Sequence, residues 1–259
     1  SSGLMYFDGL PWSFNDSAGK PELYRINSAD GSILQTVLIK NATNVDWEDI
    51  TQDDEFIYIG DFGNNAGNRK NLAIYKIKKN QVGNRNRVSI TAELIRFSYA
   101  DQLSFGEMGQ NHNFDCESFI SYYDSLILFT KNREDRKTRM YKLPKEAGNY
   151  SMVPECTFAV DGLVTGADYS IINKELVFIG IENKKPFVFI FKNFNGKKLG
   201  TEEVFRINLP RWTNSQTEGI CYFDENTLLI STEQTKTFQQ AIFILNIREV
   251  FKNSGIDYK

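Results

Sequence analysis

Three glutamates carry the least ordinary chemistry in this 259-residue chain. Glu48, Glu117 and Glu218 each stand at the head of a short apolar run, where a buried strand has no use for a charge. Ser2 and the pair Ala167-Asp168 begin similar runs, and the five starts are separated by 46, 69, 50 and 51 residues. Carboxylates gathered at short range raise one another's pKa or demand a cation. Oxygen-only donors suit a hard divalent ion. Calcium accepts about six to eight of them, whereas magnesium wants strict octahedral geometry. Ser2, Glu48, Glu117, Asp168 and Glu218 are therefore candidate ligands of a central calcium ion. The plainer alternative has these glutamates facing a water-filled channel or bonding backbone amides.

A second set stands in polar stretches between apolar runs. Asp16, Asp61, Arg69, Lys131 and Arg133 mix acids with bases that would bind a phosphate- or carboxylate-bearing ligand. Trp47 and Trp212 would stack on a sugar or a base, or else fill gaps in a core. The segments 46–49 and 115–117 are denser in acid than a buried strand start needs, since burying an unpaired carboxylate costs several kcal/mol. His112, the only histidine, lies in a long connection at 99–113 and reads more simply as hydrogen-bonded structure than as a general base.

These residues need elements that converge, and the chain supplies a repeat. Each slot is followed by a strand, a tight Asp/Asn/Gly turn, and a second strand at 12–14, 56–59, 126–129, 176–179 and 228–230. A third strand follows at 23–26, 74–77, 140–143, 187–190 and 242–245. Fourth strands are readable at 33–39, 90–97, 153–160 and 204–209. The fifth unit shows only 247–251, equally a short helix, so a strand preceding Ser1 is expected to close the ring. Five units of about 50 residues are the arithmetic of a five-bladed β-propeller of four-stranded antiparallel blades. The blades are expected near 1–43, 44–110, 111–162, 163–212 and 213–259, in one domain. In that fold the start of the first strand and the end of the second share one face, which gathers both residue sets at one mouth of the channel.

Composition narrows the rest. With 30 Lys+Arg against 33 Asp+Glu, the net charge of −3 disfavours a globally basic nucleic-acid binder. No apolar run reaches the roughly 18 residues of a membrane span. Three cysteines without a CxxC read as small buried hydrophobes. Walker, GxSxG and HExxH motifs are absent.

The slot residues Ser2, Glu48, Glu117 and Glu218, with Ser2-Gly3-Leu4, 14–19 and Leu23-Tyr24, make the chain resemble the calcium-activated nucleotidase (apyrase) five-bladed propellers. That resemblance implies a central calcium held by the slots. Departures are Ala167, where that family has a side-chain oxygen, and the stretch 61–69 in place of a basic-aromatic loop. Asp46-Trp47-Glu48-Asp49-Ile50 and Asp61-Phe62-Gly63-Asn64-Asn65 also look like a group of uncharacterised, often exported bacterial propellers, which implies a periplasmic or extracellular location. Three functions follow. The preferred one is a binding module that presents the acidic mouth to a small molecule, glycan or protein. The others are a metal-dependent phosphoester or nucleotide hydrolase and a glycoside hydrolase.

Overall fold

A computed structural model describes residues 2–106, 109, 111–201, 203–253 and 258. Five small sheets stand around an axis. The first blade is β1 (Ser2–Phe7), β2 (Leu10–Phe14), β3 (Glu22–Ile26) and β4 (Ile33–Ile39). Chain order then gives β5 (Trp47–Gln52), β6 (Phe56–Asp61), β7 (Ala73–Lys78), β8 (Arg87–Ile90) and β9 (Glu93–Tyr99). Next come β10 (Cys116–Tyr122), β11 (Ser125–Thr130), β12 (Lys137–Pro144), β13 (Gly148–Met152) and β14 (Cys156–Ala159). The fourth blade is β15 (Leu163–Ser170), β16 (Glu175–Glu182), β17 (Lys185–Phe191) and β18 (Val204–Asn208). The fifth is β19 (Gln216–Asp224), β20 (Thr227–Glu233) and β21 (Ala241–Asn246), followed by helix α1 (Ile247–Asn253). The architecture is thus the expected five-bladed β-propeller.

Blades two and three each carry an extra strand ahead of the expected fourth one. β8 leaves blade two and pairs parallel with β4 on the rim of blade one, while β9 is blade two's own fourth strand. β13 likewise pairs parallel with β9, and only β14 closes blade three. Each donated strand covers an edge that would otherwise expose unpaired backbone groups. In blade five, among the described residues, no fourth strand pairs with β21, and 247–253 is helical. Ile247 and Phe251 of α1 form its buried face, with Phe251 against Phe205 at 4.9 Å. Along the open edge, a hollow of about 480 Å³ runs between blades one and five past Phe14, Tyr24, Ile33 and Ile242.

Apolar side chains pack between successive blades. Met5, Trp12 and Phe14 meet Ile57, Ile59 and Tyr75 between the first two. Phe129, Phe178 and Phe191 form a ring cluster between the third and fourth. Burying a side chain of that size is worth about 1.5–3 kcal/mol. The seam between blades five and one is thinnest, with Leu4, Cys221 and Leu229 at its centre. No disulfide joins Cys116, Cys156 and Cys221. No helix among the described residues is long and apolar enough to cross a membrane.

Candidate functional site

Every inner strand carries a register shift near its start: between Ser2 and Met5, Trp47 and Asp49, Cys116 and Ser118, Val164 and Gly166, and Thr217 and Gly219. A bulge inserts one unpaired residue and re-aims its side chain. The bulged residues of blades two, three and five are Glu48, Glu117 and Glu218, all buried. The alternating pattern alone gives no sign of this device, yet it is what places the three glutamates at one station. In blade four the station is Thr165, which donates to the Thr217 carbonyl at 2.7 Å. Ala167 and Asp168 lie two and three residues further along. Asp168 accepts from the Tyr222 N–H at 2.8 Å, bridging blades four and five, and burial pushes its pKa up to about 6. Asp49 does the same between blades two and three, accepting from Phe119 N–H at 3.1 Å, and burial holds its carboxyl well above the usual range. Ser2 is buried, with the Ser13 hydroxyl on its carbonyl at 3.3 Å.

The mouth has its own cations. The Lys131 ammonium stands 2.9 Å from Glu117 Oε2. Arg133 donates to Asp115 Oδ2 at 2.7 Å through Nε and reaches Glu117 Oε1 at 3.4 Å. It also holds the Asn65 side-chain oxygen. Burial opposes the Lys131 charge, but Glu117, Glu218 and Asp115 outweigh it and hold the ammonium above the ordinary lysine value. Burial likewise pushes Glu218 up to about 7 against the pull of Lys131. A calcium ion on Ser2, Glu48, Glu117, Asp168 and Glu218 does not fit this arrangement. Lys131 already supplies the positive charge at Glu117, and Asp168 is taken by a backbone amide.

Two loops from blade two frame the same face. Arg69 pairs with Asp61 at 2.8 Å and donates to the Gly63 carbonyl at 2.8 Å. Asp61 also accepts from the Asp46 N–H at 3.1 Å. Burial raises the Asp61 pKa despite Arg69. Asp115 accepts from the Asn64 N–H at 2.7 Å. His112 accepts the Phe114 N–H on Nδ1 at 3.2 Å, which leaves Nε2 as the protonated nitrogen, donating to the Asn65 carbonyl at 3.1 Å. It staples two loops, as the simpler reading expects.

Asp16, Asp46 and Glu48 are different. Each offers a carboxylate oxygen, and these lie within 4.8 Å of one another. Asn44, buried, clamps the Asp16 loop by donating to the Asn15 and Asp16 carbonyls at 2.8 and 3.1 Å. It then accepts from the Trp47 N–H at 3.1 Å. Nothing in the residue pattern singles Asn44 out. Gly63 packs its bare backbone against two of the acids: a Cβ there would stand 2.2 Å from Glu48 Oε1 and 2.4 Å from Asp46 Oδ2. Burial, then the charges of Asp115 and Asp16, push Asp46 up to about 6. Burial, then Glu117 and Asp46, push Glu48 well above the usual glutamate value.

On the opposite side of the mouth lies a hollow of about 580 Å³, walled by Lys131, Arg133, Thr165, Ser215, Glu218 and Lys236. The Ser215 hydroxyl is buried there without a hydrogen-bond partner. Trp47 takes no part in a binding face. It is fully buried between Phe14, 5.5 Å away edge-on, and Tyr75 at 5.9 Å. Trp212 sits half-buried on Phe243 at 4.7 Å.

No protein-family model matches the chain, and no curated protein does. Among solved structures it is similar to the PQQ-bound aldose sugar dehydrogenase of Streptomyces coelicolor, at 11% identity and a TM-score of 0.52, over 95% of this chain and 93% of that one. It is also similar to the major Malassezia sympodialis allergen Mala s 1, at 10% identity and a TM-score of 0.54, over 88% and 86%. At such identities the likeness is one of fold, and it places the chain among the β-propellers.

Proposed function

We propose that this propeller is a binding module whose hollow beside Lys131 takes a small, hydroxyl-rich anion, such as an acidic or phosphorylated sugar. The observation that carries this is the Ser215 hydroxyl, buried and unpaired beside a hollow whose lining holds Lys184 and Lys236, along with Glu218 and the already paired Lys131 and Arg133. A buried polar group without a partner costs about 1–3 kcal/mol, which a ligand hydroxyl would recover. Thr165, Asn214, Gln216, Thr235 and Thr237 add neutral donors and acceptors around it. The test is calorimetric titration with a panel of sugar acids, sugar phosphates and neutral sugars. At least one anionic sugar should bind with an affinity that falls with salt. Ser215→Ala should weaken it about tenfold, and the double variant Lys184→Ala/Lys236→Ala should flatten the salt dependence. If no anionic sugar binds, or neutral sugars bind equally well, the proposal fails.

A phosphoester or nucleotide hydrolase is the second reading, because an acidic trio faces the same mouth as these cations. Assaying the phosphorylated members of the panel for phosphate release, with and without calcium, separates the two. A glycosidase would take its acid and base from the mouth carboxylates, without Trp47 as a stacking platform, since that ring lies in the core.

A further inference from the structure

Among the described residues, Arg69, Lys131 and Arg133 hold the ion pairs of the mouth, and Glu218 and one group of three acids stand outside them. Arg69 is engaged with Asp61, Lys131 with Glu117, and Arg133 with Asp115. Asp16, Asp46 and Glu48 share no such pair among the described residues, and the one side-chain donor on them is the Asn65 amide, 3.2 Å from Asp46 Oδ2. Glu48 is 6% exposed, hence more than nine-tenths buried, and points into this group without a hydrogen-bond partner. A buried carboxylate in that condition is costly unless something positive answers it.

We propose that Asp16, Asp46 and Glu48 form an off-axis site for one calcium ion at the junction of blades one and two. The oxygens lie within 4.8 Å of each other, which is the spread of ligands on a sphere of about 2.3–2.6 Å radius, the calcium–oxygen distance. The donors are all oxygens, so a hard cation is selected over zinc or copper. The cradle is built for close approach: glycine at 63 leaves the space that any side chain would take from two of the acids, and Asn44 fixes the loop that brings in Asp16. Three carboxylates with a partly open outer side suit calcium, which accepts carboxylates in flexible geometry. Magnesium retains most of its waters and prefers one or two carboxylates.

This site shares no residue with the sugar hollow, so either proposal can fail alone. The experiment is calorimetric titration of chelator-treated protein with calcium chloride, beside thermal melts with and without calcium. One equivalent of calcium should bind, and the melting temperature should rise with its concentration. Asp16→Asn, in an exposed loop, should weaken binding by about tenfold or more, as affinity follows ligand charge count. Glu218→Gln should leave it within about twofold. Absence of both heat and melting shift overturns the proposal. So does a pattern in which Glu218→Gln abolishes binding and Asp16→Asn leaves it intact, since that places the ion on the axis. Equal binding of magnesium overturns the choice of calcium.

Discussion

Glu48 and Glu117 occupy the same bulge in neighbouring blades, and their burial is nearly identical at 6% and 3% exposed. Both feel the charge of Lys131, but only Glu117 is in contact with it. The residue just past the second strand is Lys131 in blade three, whose ammonium lies on Glu117. In blade two the same place holds Phe62, which is fully buried against Phe97 and Phe119. One position in the repeat thus decides whether a mouth carboxylate is answered from within the protein or left for something outside it. The fold supplies the carboxylates by repetition. Their roles come from the strand end beside each.

Removing the lysine should have the largest effect. Lys131→Met keeps the side-chain length but leaves Glu117 buried with only the 3.4 Å contact to Arg133 as a cationic neighbour. Removing one partner of a buried pair costs about 3–5 kcal/mol, and urea unfolding at pH 7 should show a loss of that size. The double variant Lys131→Met/Glu117→Gln should recover most of it, because replacing both partners is often close to neutral. A loss under about 1 kcal/mol for the single variant would mean that Lys131 does not distinguish the two glutamates.

The blade plan was legible in the sequence because turn residues and apolar runs recur with a period near 50, and the three glutamates stood out as charges at the heads of apolar runs. What escaped was register. In blade four the turn spans four residues, 171–174, and exposes Ile171 and Ile172. Counted as strand, those two isoleucines shift the slot from Thr165 to Ala167. Bulges escaped for a related reason: one extra residue per strand changes which face Trp47 and Glu48 occupy without altering composition. The cation at Glu117 was legible as a residue but not as a partner, because Lys131 meets Glu117 only once β10 and β11 are paired. The strands β8 and β13 were invisible because they serve the rim of the preceding blade, a pairing that no local pattern encodes.

Asp168 extends the comparison to a carboxylate answered only by amides. Its folded pKa of about 6 lies above the unfolded value of 3.8, raised by burial against the Tyr222 and Tyr169 amides. The group therefore favours folding most at pH below 3.8, and that contribution is lost as pH rises through about 6. A shift of this size corresponds to about 2–3 kcal/mol. Asp168→Asn retains an acceptor for Tyr222 and cannot ionise. At pH 8 the variant should be more stable than the parent by up to about that amount, with the advantage vanishing near pH 4. Denaturant unfolding across this range checks it, and a variant less stable at pH 8 would show that the charge is favourable where it lies.

The gentlest test addresses Glu48 through its cradle. Gly63 has no positive-φ requirement, so Gly63→Ala carries no backbone strain. The added methyl would meet Glu48 Oε1 and the Asp46 carboxylate, which are the free ends of side chains and can swing aside. The loss of stability without calcium should therefore stay within about 1 kcal/mol. The gap between melts with and without calcium should shrink, because two of the three oxygens can no longer hold their separation. Blade three is the control. Asn132 stands where blade two has Gly63, so Asn132→Ala should leave the calcium response unchanged even where it weakens the loop by removing the 2.8 Å bond to Asp135. If both variants abolish the calcium response equally, the ion belongs to the mouth as a whole. If only Gly63→Ala does, Glu48 differs from Glu117 because its side of the mouth is shaped to receive a cation that blade three already contains.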